Sequence, residues 1–133
     1  MKLTSRSEYA LLAMVHLARC PTGEFVSVEA IAHAQGIPKK FLEQIMLLLK
    51  RDRCVRSAKG NRGGYQLARP ADEIFLSEII RLFDGALAPT ESVSKYFYES
   101  TPIEREEKLV GVLRDIRDYI SDKLESTTIE KMK

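Results

Sequence analysis

The glycine-rich stretch Lys59-Gly60-Asn61-Arg62-Gly63-Gly64 restricts what this chain can fold into more than any other feature. It separates two short segments, 54–58 and 65–68, whose apolar residues follow the alternation typical of β-strands, and Pro70 ends the second. Glycines in the turn permit backbone conformations that other residues avoid. The pattern therefore predicts a β-hairpin with two cations, Lys59 and Arg62, at its tip.

Three roles are compatible with such a hairpin: a wing that contacts DNA, a plain structural hairpin, or a loop that cradles nucleotide phosphates. The nucleotide loop fits poorly, because the spacing Gly-x-x-x-x-Gly-Lys-Ser/Thr is absent and no helix begins after the turn. The wing is favoured over the plain hairpin because of the segment that comes directly before it.

Two short helical patterns joined by a tight turn precede the hairpin. Ser27 can cap the first, which ends at Gln35-Gly36, and Pro38 suits the start of the second, which runs to about Arg51. Two such helices joined by a turn with glycine are typical of a helix-turn-helix. The positions expected to face inward on the second helix are Phe41, Leu42, Ile45, Leu48 and Leu49.

The remaining segments complete a mainly α-helical chain with one small β-hairpin. Ser5 and Glu8 form a capping-box pattern at the start of a helix over 5–19, and a short helix over 74–84 ends at Gly85. We expect a winged helix-turn-helix domain over 1–85, a linker over 86–101 and a long helix from 102 to about 124. Residues 125–133 are expected to fray.

Charge is divided unevenly along the chain. Residues 1–70 carry 12 basic and five acidic side chains, a net charge of +7, whereas residues 71–133 carry nine basic and 14 acidic ones, a net charge of −5. A basic part joined to an acidic part is typical of a nucleic-acid-binding domain with an appended partner region.

Double-stranded DNA is therefore the predicted partner. Gln44 on the third helix can pair with adenine, the lysines beside it can contact guanine or phosphate, and Glu43 can accept from cytosine or repel phosphate. The hairpin cations would enter the minor groove, with Gly63 allowing close approach. Ser5, Arg6 and Arg56 would hold backbone phosphates. The full set is Ser5, Arg6, Lys39, Lys40, Glu43, Gln44, Arg56, Lys59, Arg62 and Gly63.

The long final helix carries an apolar stripe whose spacing is close to a heptad seam. The preceding domain can close its core without this helix, so we expect the stripe to join two copies of the chain. Its members are Leu109, Val112, Leu113, Ile116, Tyr119 and Ile120.

Several motifs together resemble the Rrf2 family of bacterial winged-helix regulators. They are Met1 to Ala10, Ile31-Ala32 through Ile37, Phe41-Leu42-Glu43-Gln44-Ile45, Val55 to Pro70, and Leu82-Phe83-Asp84-Gly85, which together span about two-thirds of the chain. The resemblance implies a homodimer that acts as a transcriptional repressor on pseudo-palindromic operators, with long C-terminal helices that cross between subunits.

One feature departs from the members of that family that carry an iron–sulfur cluster. Those members have three cysteines in the linker and at the start of the long helix, where this chain has Ser92, Tyr98 and Glu104. Thiolates are the usual cluster ligands, so we expect no cofactor and no metal. The resemblance is closer to the cysteine-metabolism type of member, which answers to a partner protein or a metabolite.

Other functional classes fit less well. Only two histidines occur, His16 and His33, without a nucleophile or metal pattern beside them, so an enzyme is not expected. A protein–protein adaptor that keeps the winged helix as a scaffold stays open, although it would not need the clustered cations. Apolar runs are too short for a bilayer and no leader-like segment is present, so we expect a cytoplasmic protein.

Overall fold

The structure, a computed structural model, describes residues 1–133 as five α-helices and one two-stranded antiparallel sheet. The helices are α1 (Ser5–Arg19), α2 (Val28–Gln35), α3 (Lys39–Arg51), α4 (Leu76–Asp84) and α5 (Glu107–Glu125). The strands are β1 (Val55–Ala58) and β2 (Gly64–Leu67). Short 3-10 turns lie at Ala71–Glu73, Glu91–Val93, Pro102–Arg105 and Glu130–Met132. The predicted winged helix-turn-helix class is confirmed. No helix combines the length and apolar character needed to cross a bilayer.

The start of α1 differs from the predicted capping box. Thr4, not Ser5, is the N-cap, and its hydroxyl accepts a hydrogen bond from the Ser7 N–H at 3.4 Å. Thr4 is fixed by Asp84, whose carboxylate accepts from the Thr4 N–H at 3.1 Å and from its hydroxyl at 2.6 Å. Because Asp84 lies 80 positions away, the local pattern of Ser5 and Glu8 could not reveal the true cap.

The helix-turn-helix forms where it was predicted. Ser27 caps α2 by accepting from the Ala30 N–H at 3.1 Å, and Gly36 ends it in the left-handed conformation with φ of 67°. Pro38 occupies the N-cap position of α3 and leaves no backbone donor unpaired there. The two helices are therefore joined by the tight turn that the sequence indicates.

The hairpin is tied to the helical domain by a third extended segment. Arg56 faces Gln66 and Ser57 faces Tyr65 across the strands. Val26 pairs with Tyr65 on the outer edge of β2 through two backbone hydrogen bonds of 2.7 Å. The wing is consequently anchored to the segment that precedes α2.

One continuous core joins α1, α2, α3, α4 and the base of the hairpin. Its largest fully buried side chains are Met14, Ile31, Leu42, Ile45, Met46, Leu49, Ile74, Ile79 and Ile129. Ile129 comes from the segment after α5, so the expectation that residues 125–133 fray is wrong. The Ile129 N–H donates to Ile74 O at 2.8 Å, and the Leu76 N–H donates to Thr127 O at 2.9 Å. This pairing gives the segment a local strand-like partner that no helical or alternating pattern in it indicates.

The long helix begins later than predicted. Residues Pro102–Arg105 form a 3-10 turn, and Glu106 is extended with φ of −114° and ψ of 97°, so α5 starts at Glu107. The Glu104 carboxylate accepts hydrogen bonds from the hydroxyls of Tyr98 and Ser100. These contacts hold the turn against the linker instead of allowing it to continue the helix.

Candidate nucleic-acid interface

The predicted recognition residues line the solvent side of α3. Lys39, Lys40, Glu43 and Gln44 are all exposed, while Leu42 and Ile45 on the opposite side are buried. This separation gives α3 one face for the core and one polar face with two amines, a carboxylate and an amide. Such a face offers both hydrogen-bond donors and acceptors to a base edge in a major groove.

Lys39 is not a free cation. Its Nζ lies 2.7 Å from a carboxylate oxygen of Glu29 on α2 and 3.9 Å from one of Glu43 on α3. The hydrogen bond with Glu29 raises the pKa of Lys39, and the same bond lowers the pKa of Glu29. Glu29 was missed by the sequence reasoning, since it lies on a different helix and no spacing rule links the two. A contact between Lys39 and DNA would therefore compete with its ion pair to Glu29.

Phe41 does not face inward as the sequence pattern predicted. Its side chain is 42% exposed and stands edge-on to the ring of Tyr9 on α1, with ring centroids 5.5 Å apart. The core volume below α3 is already filled by Leu42, Ile45 and Leu49. Phe41 thus covers the α1–α3 junction next to the polar face of α3.

The wing lies beside α3. α3 packs against β1, and both Lys59 and Arg62 are exposed at the hairpin tip. Burial raises the pKa of Tyr65 on β2, and the carboxylate of Glu43 on α3 raises it further. The hairpin is therefore placed directly beside α3.

Gly63 and Gly64 are required by the chain's own backbone. A Cβ on Gly63 would collide with the carbonyl of Ala58, and one on Gly64 would collide with the carbonyl of Val26. Gly64 also has φ of 140°. The geometry gives the two glycines a role in hairpin closure and anchoring, and the close approach of Gly63 to DNA stays a prediction.

Ser5 and Arg6 lie at the first turn of α1, both exposed. The Arg6 guanidinium lies over the ring of Phe83, 5.4 Å from its centroid. Burial alone would raise the pKa of Asp84, but hydrogen bonds from Thr4 and the nearby charge of Arg6 lower it overall. Asp84, a second residue that the sequence reasoning missed, thus holds this helix start in place.

Arg56 lies on β1 with its side chain exposed, and its contact with backbone phosphate stays a prediction. Its Nε donates to Gln66 Oε1 at 2.6 Å, and both side chains line a cleft of about 520 Å³ at the base of the wing. We call this the wing-base cleft; its walls come from the 20–24 loop, the two strands, residues 67–72 and the segment after α5.

The predicted α5 stripe divides into two sets. Leu109, Val112, Ile116 and Tyr119 are exposed, Tyr119 by 74% of its surface, whereas Leu113 and Ile120 are half-buried. The exposed four follow a spacing of three, four and three positions, which places them along one line of the helix. Leu113 and Ile120 lie on the side of α5 that packs against its own domain.

The Rrf2 family model, described as an iron-dependent transcriptional regulator, matches residues 3–133. The chain belongs to the Rrf2 family. It is 38% identical over 133 residues to an HTH-type transcriptional regulator of Mycobacterium tuberculosis, a match that covers 97% of this chain and 79% of that relative. It is 30% identical over 132 residues to the HTH-type transcriptional regulator CymR of Bacillus subtilis, covering 99% of this chain and 89% of CymR.

Solved structures of the Rrf2 family share this fold. The structure of CymR, described as the global cysteine regulator of B. subtilis, superposes with a TM-score of 0.80 at 29% identity, covering 99% of this chain and 95% of that one. IscR of T. potens superposes with a TM-score of 0.76 at 27% identity, covering 99% and 85%. This Rrf2 chain is accordingly a transcriptional regulator of the helix-turn-helix type.

The iron named in the family description does not fit the residues of this member. Cys54 is buried, and burial together with Asp52 raises its pKa to about 11, so it is a poor source of thiolate. Cys20 lies at the end of α1, and no three residues among His, Cys, Asp and Glu come together as a metal-holding group. An iron–sulfur cluster needs several thiolates, which the linker does not supply. That this member works without a cofactor stays a prediction.

Proposed function

We propose that this Rrf2 protein is a repressor that binds a pseudo-palindromic DNA operator as a homodimer, without any catalytic step. The observation that carries the proposal is the packing of α3 against β1, which places the hairpin directly beside the helix that carries the exposed polar face. In this arrangement α3 would enter the major groove, with Lys40 and Gln44 at base edges and Lys39 at phosphate or guanine.

The wing would contribute affinity for DNA that does not depend on the base sequence. Lys59 and Arg62 would lie in or over the adjacent minor groove, and Ser5 and Arg6 at the start of α1 would hold backbone phosphates. The N-terminus of α1 adds free N–H groups and a partial positive charge to that contact.

The first test selects bound sequences from random duplexes and then measures their affinity across a series of salt concentrations. Replacing Lys59 and Arg62 together with Ala should weaken binding and reduce the slope of log affinity against log salt by about 1.8, since each phosphate contact contributes about 0.9. The matched control replaces Arg105 and Lys108, which are exposed outside this surface, and should leave the slope unchanged. An unchanged slope in the wing variant would remove the wing from the interface.

The homodimer is supported by the exposed line of apolar residues on α5. A line of four such side chains left in water is unfavourable, and a second copy could cover it by the same spacing. Two recognition helices would then meet successive major grooves, about 34 Å apart.

The second test introduces a charge into that line. Ile116→Glu should convert the protein to a monomer by analytical ultracentrifugation and should weaken operator binding strongly, because each monomer then holds only one half-site. Arg114→Glu on the same helix but off the line is the control, and it should stay dimeric. A dimer that survives Ile116→Glu would exclude α5 as the joining surface.

A further inference from the structure

The wing-base cleft contains a polar pair whose hydrogen bonding is incomplete. Gln66 is only 8% exposed, and its Nε2 is buried without a hydrogen-bond partner in the chain. Because Arg56 Nε is a donor, the oxygen of the Gln66 amide faces it. The amide nitrogen points away from Arg56 Nε and needs a different acceptor. A buried amide without an acceptor is unfavourable and points to a missing partner.

Arg56 adds further donors at the same place. Only its Nε is used within the chain, and it forms no ion pair, so both terminal nitrogens of the guanidinium are free. Arg69, which also lines the cleft, is by contrast occupied by Glu78 at 2.9 Å. A guanidinium fork next to an unpaired amide N–H matches the two oxygens of a carboxylate.

Unpaired acidic side chains also line the wing-base cleft, beside the cations Arg69 and Lys133, which are both ion-paired. Glu24 on the loop after α1 and Asp72 in the turn after β2 line it, and neither has an ion-pair partner. These carboxylates would repel a simple anion such as phosphate and attract an ammonium group. The cleft volume of about 520 Å³ lies in the range of small-molecule sites.

We propose that the wing-base cleft binds a small zwitterion of the amino-acid type, with its carboxylate on Arg56 and Gln66 and its ammonium group toward Glu24 and Asp72. Burial and then the carboxylate of Glu24 raise the pKa of Cys20, the one thiol in the lining.

Such a ligand would act on the wing directly. Arg56 and Gln66 are cross-strand partners, and two pairs further along the hairpin Ala58 and Gly64 lead into the tip with Lys59 and Arg62. A ligand that joins these strands to the 20–24 loop and the 67–72 segment would change how the hairpin is held. This regulatory part rests on the proposed DNA-binding function, whereas ligand binding itself does not.

The test uses the full chain labelled with ¹⁵N and titrated with each of the common L-amino acids in turn. At least one should bind saturably, with NMR shifts concentrated at residues 20–24, 56 and 66–72. Its N-acetyl and amide forms, each lacking one charge, should bind more weakly. Arg56→Met should weaken binding by about tenfold or more, the loss expected for one charge-assisted contact. Arg51→Met, an exposed arginine outside the cleft, should bind like the wild type.

Gln66→Glu is the second variant, because it keeps the shape of the side chain and replaces the unpaired donor with an oxygen; it should also weaken binding. No shift with any amino acid, equal binding by Arg56→Met, or equal binding of the N-acetyl form would each overturn the site. Bound ligand should change operator affinity by about fivefold or more, the usual scale of coupling between two sites. Ligand binding without DNA binding would refute only the proposed function, and DNA binding without any amino-acid binding would refute only the site.

Discussion

At the scale of single residues, the strictest steric limits on substitution lie at backbone positions such as Gly64 and not at the exposed cations. The polar face of α3 and the hairpin tip tolerate many side chains sterically, since they lie in solvent. Gly64 does not, because its positive φ and the carbonyl of Val26 leave no room for a Cβ. The anchoring of the wing to Val26 thus depends on a residue with no side chain.

Gly64→Ala should lower the free energy of unfolding by more than about 1 kcal/mol, through backbone strain and a weakened pairing between Val26 and Tyr65. Urea denaturation followed by circular dichroism measures it. Gly111→Ala is the matched control, because Gly111 lies inside α5 with open space around it; there the change should stabilise by about 0.5–1 kcal/mol. Equal effects at the two positions would contradict the role given to Gly64.

At the scale of elements, local patterns were sufficient wherever an element is defined by its own sequence. The apolar spacing of α1, α2 and α3, the Ser27 cap, Gly36 and the glycine-rich turn predicted the helix-turn-helix and the wing. Local patterns were insufficient where a contact with a distant residue fixes the structure. Asp84 fixes Thr4 as the cap of α1, and Ile74 accepts a hydrogen bond from Ile129. Glu29 forms an ion pair with Lys39. The polar face of α3 was therefore predicted as a set of exposed residues, but its ion pairs were not.

The cap of α1 should be sensitive to acid. Because the pKa of Asp84 is lowered in the folded state, its stabilising effect is present above the ordinary carboxyl pKa and is lost as pH falls through the folded value. Asp84→Asn should cost about 1–2 kcal/mol near neutral pH and progressively less in acid. Thermal unfolding across pH measures this, with the exposed Asp115→Asn as control. A cost independent of pH would show that the charge of Asp84 is irrelevant.

At the scale of the whole molecule, the segment after α5 connects the long helix to the DNA-binding domain. Thr128 pairs with Phe75, and Ile129 enters the core shared by the helices of the winged domain. Nearby, Arg81 on α4 binds Glu125 at the end of α5 at 2.6 Å, and Arg117 donates to Val93 O in the linker at 2.9 Å. The second half of α5 is thereby held by its own chain.

Ile129→Ala should destabilise the whole domain by about 2–5 kcal/mol, as expected for removing a fully buried branched side chain. A single cooperative transition at lower denaturant concentration would show that the segment belongs to the same folding unit as α1 to α4. Met132→Ala, close by but partly exposed, should change stability much less. Loss of signal from α5 alone would contradict this assignment.

The pairing of residues 127–129 with residues 74–76 also has a consequence for the operators that such a dimer could bind. Because the end of α5 is fixed to its own winged domain, two joined copies would hold their α3 helices at one set separation. Two domains joined by a flexible linker would not. One extra base pair between half-sites turns the second site by roughly 34° around the duplex, given about 10.5 base pairs per turn. The permitted operators would then be distinguished by the distance between their halves as sharply as by the bases within them.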